Sequence, residues 1–398
     1  MRNFHRLCAA VALLVGAAGA QAAPVLERVV IVERHGVRSP TKPPEAYAAF
    51  AAQPWPAWPA APGELTDHGA EALHRIGAAL REHYARTGLF AAQGCPSGVF
   101  LWADNADSRT LASAAAVAEG LSPDCAVPVK SAPPGDDDPL FHGAKLCRLD
   151  SKEAAQALRT RLARVVARNR AGYARANAAL RGILRPQACL ASADCALAGD
   201  NRVSDDGKLS GPLDTGSTLA ENLLLEYAQG FARDQVGWGR AAGRIAAVMP
   251  LHNLYADLAR RTPAVAAANA TFLARAILAA LGVPGEEGVP LPDGARFVLF
   301  LGHDTNLSNL SGLLGVRWRL PGQPDDTAPG TALAFELWRD HGVRTVRMKV
   351  YYQPLDAIRR LAPGLRVVPV GQRGLPLDAF ARRLDARLRP DCRLPPAP

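Results

Sequence analysis

Apolar positions along the chain fall into two kinds of run. Val29–Val32, Val99–Ala103 and Arg296–Leu301 are short and nearly continuous, rich in β-branched and aromatic residues, as strands buried on both faces are. Thr345–Tyr352 alternates in part and predicts a further strand. Leu65–Tyr84 instead repeats its apolar residues at helical spacing, and Thr66 stands where an N-cap would. From about Asp150 to Leu281 the chain reads as almost wholly helical. Asp150-Ser151-Lys152-Glu153 opens a stretch without Gly or Pro in the manner of a capping box, and Leu158, Leu162, Val165 and Val166 follow as a one-sided stripe. Further helices are predicted over Thr218–Gln229, Leu251–Arg261 and Ala264–Leu281, with Gly207–Pro212 as a loop.

Strands at both ends and helices between them predict an α/β fold. We expect a mixed, mainly parallel sheet flanked by helices, with a helical domain inserted in the middle of the chain. The expected division is 23–145 and 285–398 for the α/β domain and 146–284 for the helical one. Residues 1–22 stand apart. Arg2 and Arg6 precede the apolar run Leu7–Ala20, and Ala20-Gln21-Ala22 is a small-residue cleavage site, so these residues are expected to be a removable export signal. The run falls short of the ~20 residues that cross a bilayer, and no later segment reads as a span.

The chain has 398 residues, 48% of them hydrophobic, ample for a sizeable core. Its formal charge is +9, or +7 once Arg2 and Arg6 leave with the signal. A basic exported protein suits an anionic partner, although the arginines are scattered among Ala and acids as on a solvated surface. Cys8 leaves with the signal; Cys95, Cys125, Cys147, Cys189, Cys195 and Cys392 remain. An even count in an exported chain implies disulfides. No C-x-x-C pair points to a metal, and the count alone leaves 15 pairings open.

Three strand candidates each run into a polar cluster. Val29–Val32 leads to Glu33-Arg34-His35-Gly36-Val37-Arg38, Phe297–Leu301 to Gly302-His303-Asp304, and Val99–Ala103 to Asp104-Asn105-Ala106-Asp107-Ser108-Arg109. Ligands of open α/β sheets bind beyond the carboxyl ends of the strands, so the clusters converge if the three strands share one parallel sheet. Among the residues they pool are three arginines, two histidines and the carboxylate of Asp304. Arginine forks bind phosphate oxygens bidentately and keep their charge. A neutral imidazole is a competent nucleophile near neutral pH, and neighbouring arginines favour its neutral form. Asp304 is the candidate to protonate a departing alcohol, for which it must start protonated. Gly36 is expected to let the backbone approach closely.

Rival chemistries lack their motifs. Ser39 is not in G-x-S-x-G, Leu209 follows Gly207-Lys208 where a P-loop needs Ser or Thr, and there is no H-E-x-x-H or H-x-H. Taken singly, R-H-G could be a turn with solvated arginines, Asp304 an N-cap and Arg109 a surface residue. It is their placement at three strand ends that points to phosphate.

Arg34-His35-Gly36-x-Arg38-x-Pro40 with the distant pair His303-Asp304 resembles the histidine acid phosphatase family. "RHGVRSPTK", "GHDTNLSNL", "LPGQPDDTAPG" and "AQGFARDQVGWGR" are similar to its bacterial periplasmic phytase (4-phytase/acid phosphatase) branch, from about Leu26 to Cys392. The resemblance implies a phosphohistidine mechanism with His35 as nucleophile and Asp304 as general acid. Arg34, Arg38, Arg109 and His303 would hold the phosphate, without metal or cofactor. It also implies that Thr41 and Lys42 face other substrate phosphates, with Glu221 and His252 approaching from the helical domain, and that the disulfides are Cys95–Cys125, Cys147–Cys392 and Cys189–Cys195. One departure is "RTPAVAAANAT": Ala266, Ala268 and Asn269 stand where relatives carry a more basic sequence, so no cationic contact to a distal phosphate is expected from this stretch.

The reading is therefore an exported phosphomonoesterase, a phytase with broad acid phosphatase activity. Its substrate is an anionic small-molecule phosphate ester; no nucleic acid and, once the signal is cleaved, no membrane is expected as partner, and the chain is expected to be a monomer. Two alternatives stand beside it: a sugar phosphatase similar to glucose-1-phosphatase, and a non-catalytic phosphate-ester binding protein, which would need the arginines but neither His35 nor Asp304.

Overall fold

The computed structural model describes residues 23–147, 149–284 and 291–392, so the expected export signal lies outside the described residues. Nine strands form among them: β1 (Val25–Arg34), β2 (Val99–Ala103), β3 (Val129–Lys130), β4 (Arg202–Val203), β5 (Leu209–Ser210), β6 (Phe297–Gly302), β7 (Ala332–Asp340), β8 (Val343–Tyr352) and β9 (Arg366–Pro376). Seven make one sheet in the order β3-β2-β6-β1-β7-β8-β9, while β4 and β5 pair separately. Strands β3, β2, β6 and β1 are parallel; β1-β7-β8-β9 is antiparallel. The predicted parallel character thus covers one half of the sheet. The other half is antiparallel because β7 and β8 are joined by two residues, His341 and Gly342, both at positive φ (47° and 81°), a turn that folds a strand back on its neighbour.

Twelve α-helices lie among the described residues: α1 (Asp67–Arg86), α2 (Ser108–Leu121), α3 (Ser151–Arg168), α4 (Arg170–Leu184), α5 (Gln187–Leu190), α6 (Pro212–Ala228), α7 (Ile245–Val248), α8 (Pro250–Ala259), α9 (Pro263–Ala280), α10 (Asp304–Leu314), α11 (Leu355–Arg360) and α12 (Leu377–Asp385). Along β1 the side chains alternate between two cores. Val29 and Ile31 pack with Leu73, Ile76 and Val117 of α1 and α2. Val30 and Val32 pack with Ile277 of α9, Leu310 of α10 and Phe380 of α12. The run is apolar throughout because both faces are covered, each such side chain contributing about 1.5–3 kcal/mol by burial.

A third core joins α3, α4, α6, α7 and α8 through Leu158, Leu180, Leu223, Val248 and Leu251, and takes in Tyr47 and Trp55 from the segment between β1 and α1. Helix α9 is long and apolar enough to cross a membrane, contrary to the expectation that no later segment is, but it is mostly buried. Its apolar residues fill the core shared with the sheet and α10.

Thr66 caps α1 as predicted, accepting from the Gly69 amide at 3.0 Å. Asp150 caps α3 through the Lys152 amide at 2.8 Å. Helix α6 starts six residues before the predicted Thr218, with Pro212 in its first turn, a position where the missing N–H costs nothing. The loop expected before it contains the short strand β5.

Candidate active site

Strand β6 lies between β1 and β2 and runs parallel to both, with Gly302 opposite Arg34 and Leu301 opposite Ala103. Past the strand ends the ladder continues: His35 N–H donates to the Gly302 carbonyl at 2.9 Å, and Asp104 N–H to the Leu301 carbonyl at 3.0 Å. The three polar clusters therefore leave the sheet side by side.

His35 is buried and its ring lies 5.5 Å from that of His303. Its Nδ1 sits 2.8 Å from the Gly36 carbonyl, so the proton belongs on Nδ1 and Nε2 keeps its lone pair. Burial, then Arg34, His303, Arg38 and Arg109 in turn, push the imidazole well below its ordinary pKa. The neutral form is the nucleophilic one. The close approach that Gly36 permits is to α1: a Cβ there would lie 2.8–2.9 Å from Leu73, Leu65 and the Gly69 carbonyl. Gly69 answers from the helix side, since its own Cβ would meet the Val37 carbonyl at 2.1 Å.

The arginines are held by α6 and by the segment that precedes β7. Arg34 is fully buried; it donates to the Thr327 carbonyl at 2.6 Å, to Asp325 at 3.3 Å and to Glu221. Arg38 reaches the other oxygen of Glu221 at 3.3 Å. Burial pushes the Glu221 carboxyl up, but Arg38 and Arg34 outweigh it and hold it at about 2. Arg109 donates to Asp107 at 2.6 Å and approaches His303 Nδ1 at 3.5 Å. The Nε atoms of Arg34, Arg38 and Arg109 are buried without a hydrogen-bond partner among the described residues, so the cluster retains donor capacity for an anion.

His303 is oriented by Asp104, whose carboxylate lies 2.8 Å from His303 Nε2 and 2.9 Å from His142 Nε2. Burial opposes the charge on Asp104, yet these two rings and the Ala106 amide hold it well below the usual carboxylate range. With Nε2 engaged by Asp104, Nδ1 is the His303 nitrogen that faces Arg109.

Asp304 opens α10 beside His303. It pairs with Arg260, and His252 Nε2 lies 3.9 Å away. Burial pushes its carboxyl up, but Arg260, Arg34 and His252 together hold it well below the usual range. Asp304 is therefore held as a carboxylate here and not in the protonated form expected of it, because its counter-charge is a guanidinium that cannot deprotonate. His252 is buried, with Nδ1 3.2 Å from Ser217 Oγ. Thr41 and Lys42 are exposed on the loop after the signature. A Cβ on Gly63 would lie 3.9 Å from the Thr41 Cα and 3.6 Å from Arg109, which sets Thr41 at the edge of the phosphate cluster.

Glu221, His252 and Asp304 carry ligand atoms within 4.8 Å of one another. Arg34 and Arg38 already occupy one carboxylate and Arg260 the other. A divalent cation there would face three guanidiniums, so the charge of this donor set is matched without one.

Asp104, Asp325 and Arg260 are site residues that sequence reasoning missed. Asp104 was visible in the cluster after β2, where only Arg109 was given a role. Arg260 and Asp325 belong to no motif and reach the site only through the fold.

A parallel half-sheet delivering a neutral histidine, arginines and a His-Asp pair to one edge defines a phosphohistidine-type site. The chain belongs to the histidine phosphatase superfamily (branch 2), which it matches over residues 25–196. It is 36% identical over 384 residues to the phytase AppA of Escherichia coli, covering 90% of this chain and 88% of that one. It is 28% identical over 358 residues to the glucose-1-phosphatase of Providencia rettgeri, covering 85% and 83%. Hafnia alvei phytase in complex with myo-inositol hexakis sulphate superposes with a TM-score of 0.86 at 33% identity, covering 94% of this chain and all of that one.

Proposed function

We propose that the chain is an exported phosphomonoesterase that hydrolyses phytate and other phosphate monoesters through a phosphohistidine on His35. The observation that carries this reading is the state of His35: a buried, neutral ring with Nδ1 tied to the Gly36 carbonyl and Nε2 free, among Arg34, Arg38, Arg109 and His303.

Nε2 attacks phosphorus, the bond from phosphorus to the ester oxygen breaks, and Asp304 gives its proton to the departing alcohol. Water then attacks the phosphohistidine, Asp304 takes a proton from it, the P–N bond breaks, and inorganic phosphate leaves. The arginines and His303 stabilise charge on the transferring group. Glu221 acts here as a brace for Arg34 and Arg38, and Asp104 as one for His303. Thr41, Lys42 and His252 line the approach. Phosphate settling on Arg34 offsets part of the field that keeps Asp304 ionised, and a phosphate monoester near its second pKa of about 6 also brings a proton of its own.

Phytate as substrate draws on the phytases this chain is similar to, one of them bound to a sixfold-charged inositol analogue. The weaker identity to glucose-1-phosphatases keeps a sugar phosphate as the second reading. Export is supported by three disulfides, Cys95–Cys125, Cys147–Cys392 and Cys189–Cys195, the pairings the resemblance implied. The same reading divides the chain into an α/β domain (23–145, 285–398) and a helical one (146–284), with the site between them.

Rapid quench with phosphorus-labelled phytate should trap an acid-labile, base-stable label on His35, absent in His35→Ala and formed equally in EDTA. Label on serine or aspartate, or activity lost to EDTA and restored by metal, would overturn the reading. A higher kcat/KM on glucose 1-phosphate than on phytate would favour the second one.

A further inference from the structure

Arg260 caps the C-terminal end of α8, and the reaction above makes no use of it. Its guanidinium nonetheless donates to Asp304 Oδ2, the oxygen 3.9 Å from His252 Nε2. The side chain is not sealed in: 21% of it is exposed, and its Cζ lies 5.8 Å from the centre of the Tyr255 ring. Asp214 of α6 feels the neighbouring Tyr255 hydroxyl and the charges of both Arg260 and Lys42. One wall of the site therefore runs from Asp304 through Arg260, Tyr255 and Asp214 toward Lys42.

We propose that Arg260 is a specificity-determining residue that exchanges Asp304 for a second phosphate of a polyphosphorylated substrate, and so releases Asp304 to act as the acid. This rests on the reading of His35 and Asp304 given above. Paired in this way, the guanidinium holds Asp304 as a carboxylate. A phosphate group beyond the one on His35 offers it more charge and a bidentate partner. Since arginine cannot neutralise itself, Asp304 becomes an acid only if the guanidinium moves or is matched by other charge. Once it has moved, burial favours the protonated carboxyl, which takes a proton from solvent and passes it to the leaving alcohol.

The other groups facing Asp304 do not offer the same control. Arg34 is matched by Glu221 and Asp325, and His252 is shared between Asp304 and Asp325. Glu221 itself opposes charge on Asp304. A substrate with a single phosphate leaves the Arg260–Asp304 pair closed and depends on low pH to protonate the acid. Arg260 also supplies a cation to the cleft, which the stretch with Ala266, Ala268 and Asn269 does not.

The test is kcat/KM against pH for Arg260→Gln and Arg260→Lys on phytate, glucose 1-phosphate and p-nitrophenyl phosphate. In Arg260→Gln the preference for phytate over the aryl ester should fall about tenfold, the size of a lost charge-assisted contact. The alkaline limb on glucose 1-phosphate should move up by about one pH unit as Asp304 loses its counter-charge. Arg260→Lys should fall between the parent and Gln on both readouts, and decides the matter if the Gln protein does not fold. Equal losses on all three substrates with an unmoved limb would make Arg260 a structural cap and overturn the proposal. Failure of the underlying reading shows separately: with Arg260 intact, no label on His35, or an Asp304→Asn loss equal on alkyl and aryl esters, would remove the acid itself.

Discussion

Glu33 is the second-last residue of β1, fully buried, and neither carboxyl oxygen has a hydrogen-bond partner among the described residues. Burial raises its pKa from an ordinary 4.5 to about 8. Below 4.5 the folded and unfolded chains both hold the proton, and Glu33 leaves stability unchanged. Between 4.5 and 8 the unfolded chain releases a proton that the folded one keeps, so stability falls by up to about 1.4 kcal/mol per pH unit and then levels off. Glu226, raised to about 8 by burial despite its bond from the Gly237 amide, acts in the same direction. Glu33→Gln should therefore raise the unfolding midpoint at pH 7.5, with a gain that shrinks toward zero near pH 4.5; a gain of constant size would show that Glu33 is ionised in the fold. At this scale the sequence was legible wherever residue type and spacing carry chemistry by themselves. His35, its flanking arginines and His303-Asp304 are of that kind. Asp104, Asp325 and Arg260 are not, because pairs formed across 199, 291 and 44 residues leave no local pattern, and the Arg260 pairing is why the sequence alone reads Asp304 as protonated.

The position of His35 depends on how helix α1 meets the signature loop. Gly36 and Gly69 face each other there, and a methyl group on Gly69 would lie 2.1 Å from the Val37 carbonyl oxygen and 2.8 Å from its amide nitrogen. Backbone has to move to admit it. Gly69→Ala should cost about 1–3 kcal/mol of stability, as overpacking does, and should lower kcat on phytate by up to about a hundredfold, since shifts of about 1 Å near a nucleophile cost that much. Gly172→Ala on α4 is the control: nothing lies within 4 Å of its Cβ, so stability should rise by about 0.5–1 kcal/mol with kcat unchanged. Equal effects of the two substitutions would show that close packing at Gly69 does not position the loop. Elements with a strong period, such as α1, or with a continuous apolar run, such as β1 and β6, are readable in the sequence. Strand β7 was not: ALAFELWRD is rich in good helix formers, and it is a strand because β1 and β8 flank it, a tertiary override of propensity. Helix α6 was entered late because Pro212 and Gly216 look like loop residues; the Pro is in fact a start signal.

For the whole molecule the decisive constraint is Cys147–Cys392, which joins positions 245 residues apart. Both half-cystines pack on Ala268 and Phe272 of α9, so the bond fastens the segment before α3 and the segment after α12 to one core helix. Residue counting could not select this pairing, because partners that distant are set by topology; only the family resemblance pointed to it. In the chain-entropy account, closing a loop of that length restricts the unfolded state by about 5 kcal/mol, against about 2 kcal/mol for the six-residue separation of Cys189–Cys195. Denaturant unfolding of Cys147→Ser/Cys392→Ser should therefore lose more stability than Cys189→Ser/Cys195→Ser. Its m-value should also rise, as the unfolded chain becomes free to expand. The two half-cystines pack on α9, and the refolded fraction of the first double variant should keep kcat on p-nitrophenyl phosphate within about twofold of the parent at a temperature where it is folded. Equal losses of stability in the two double variants would show that packing at the half-cystines, and not the length of the closed loop, sets what each disulfide contributes.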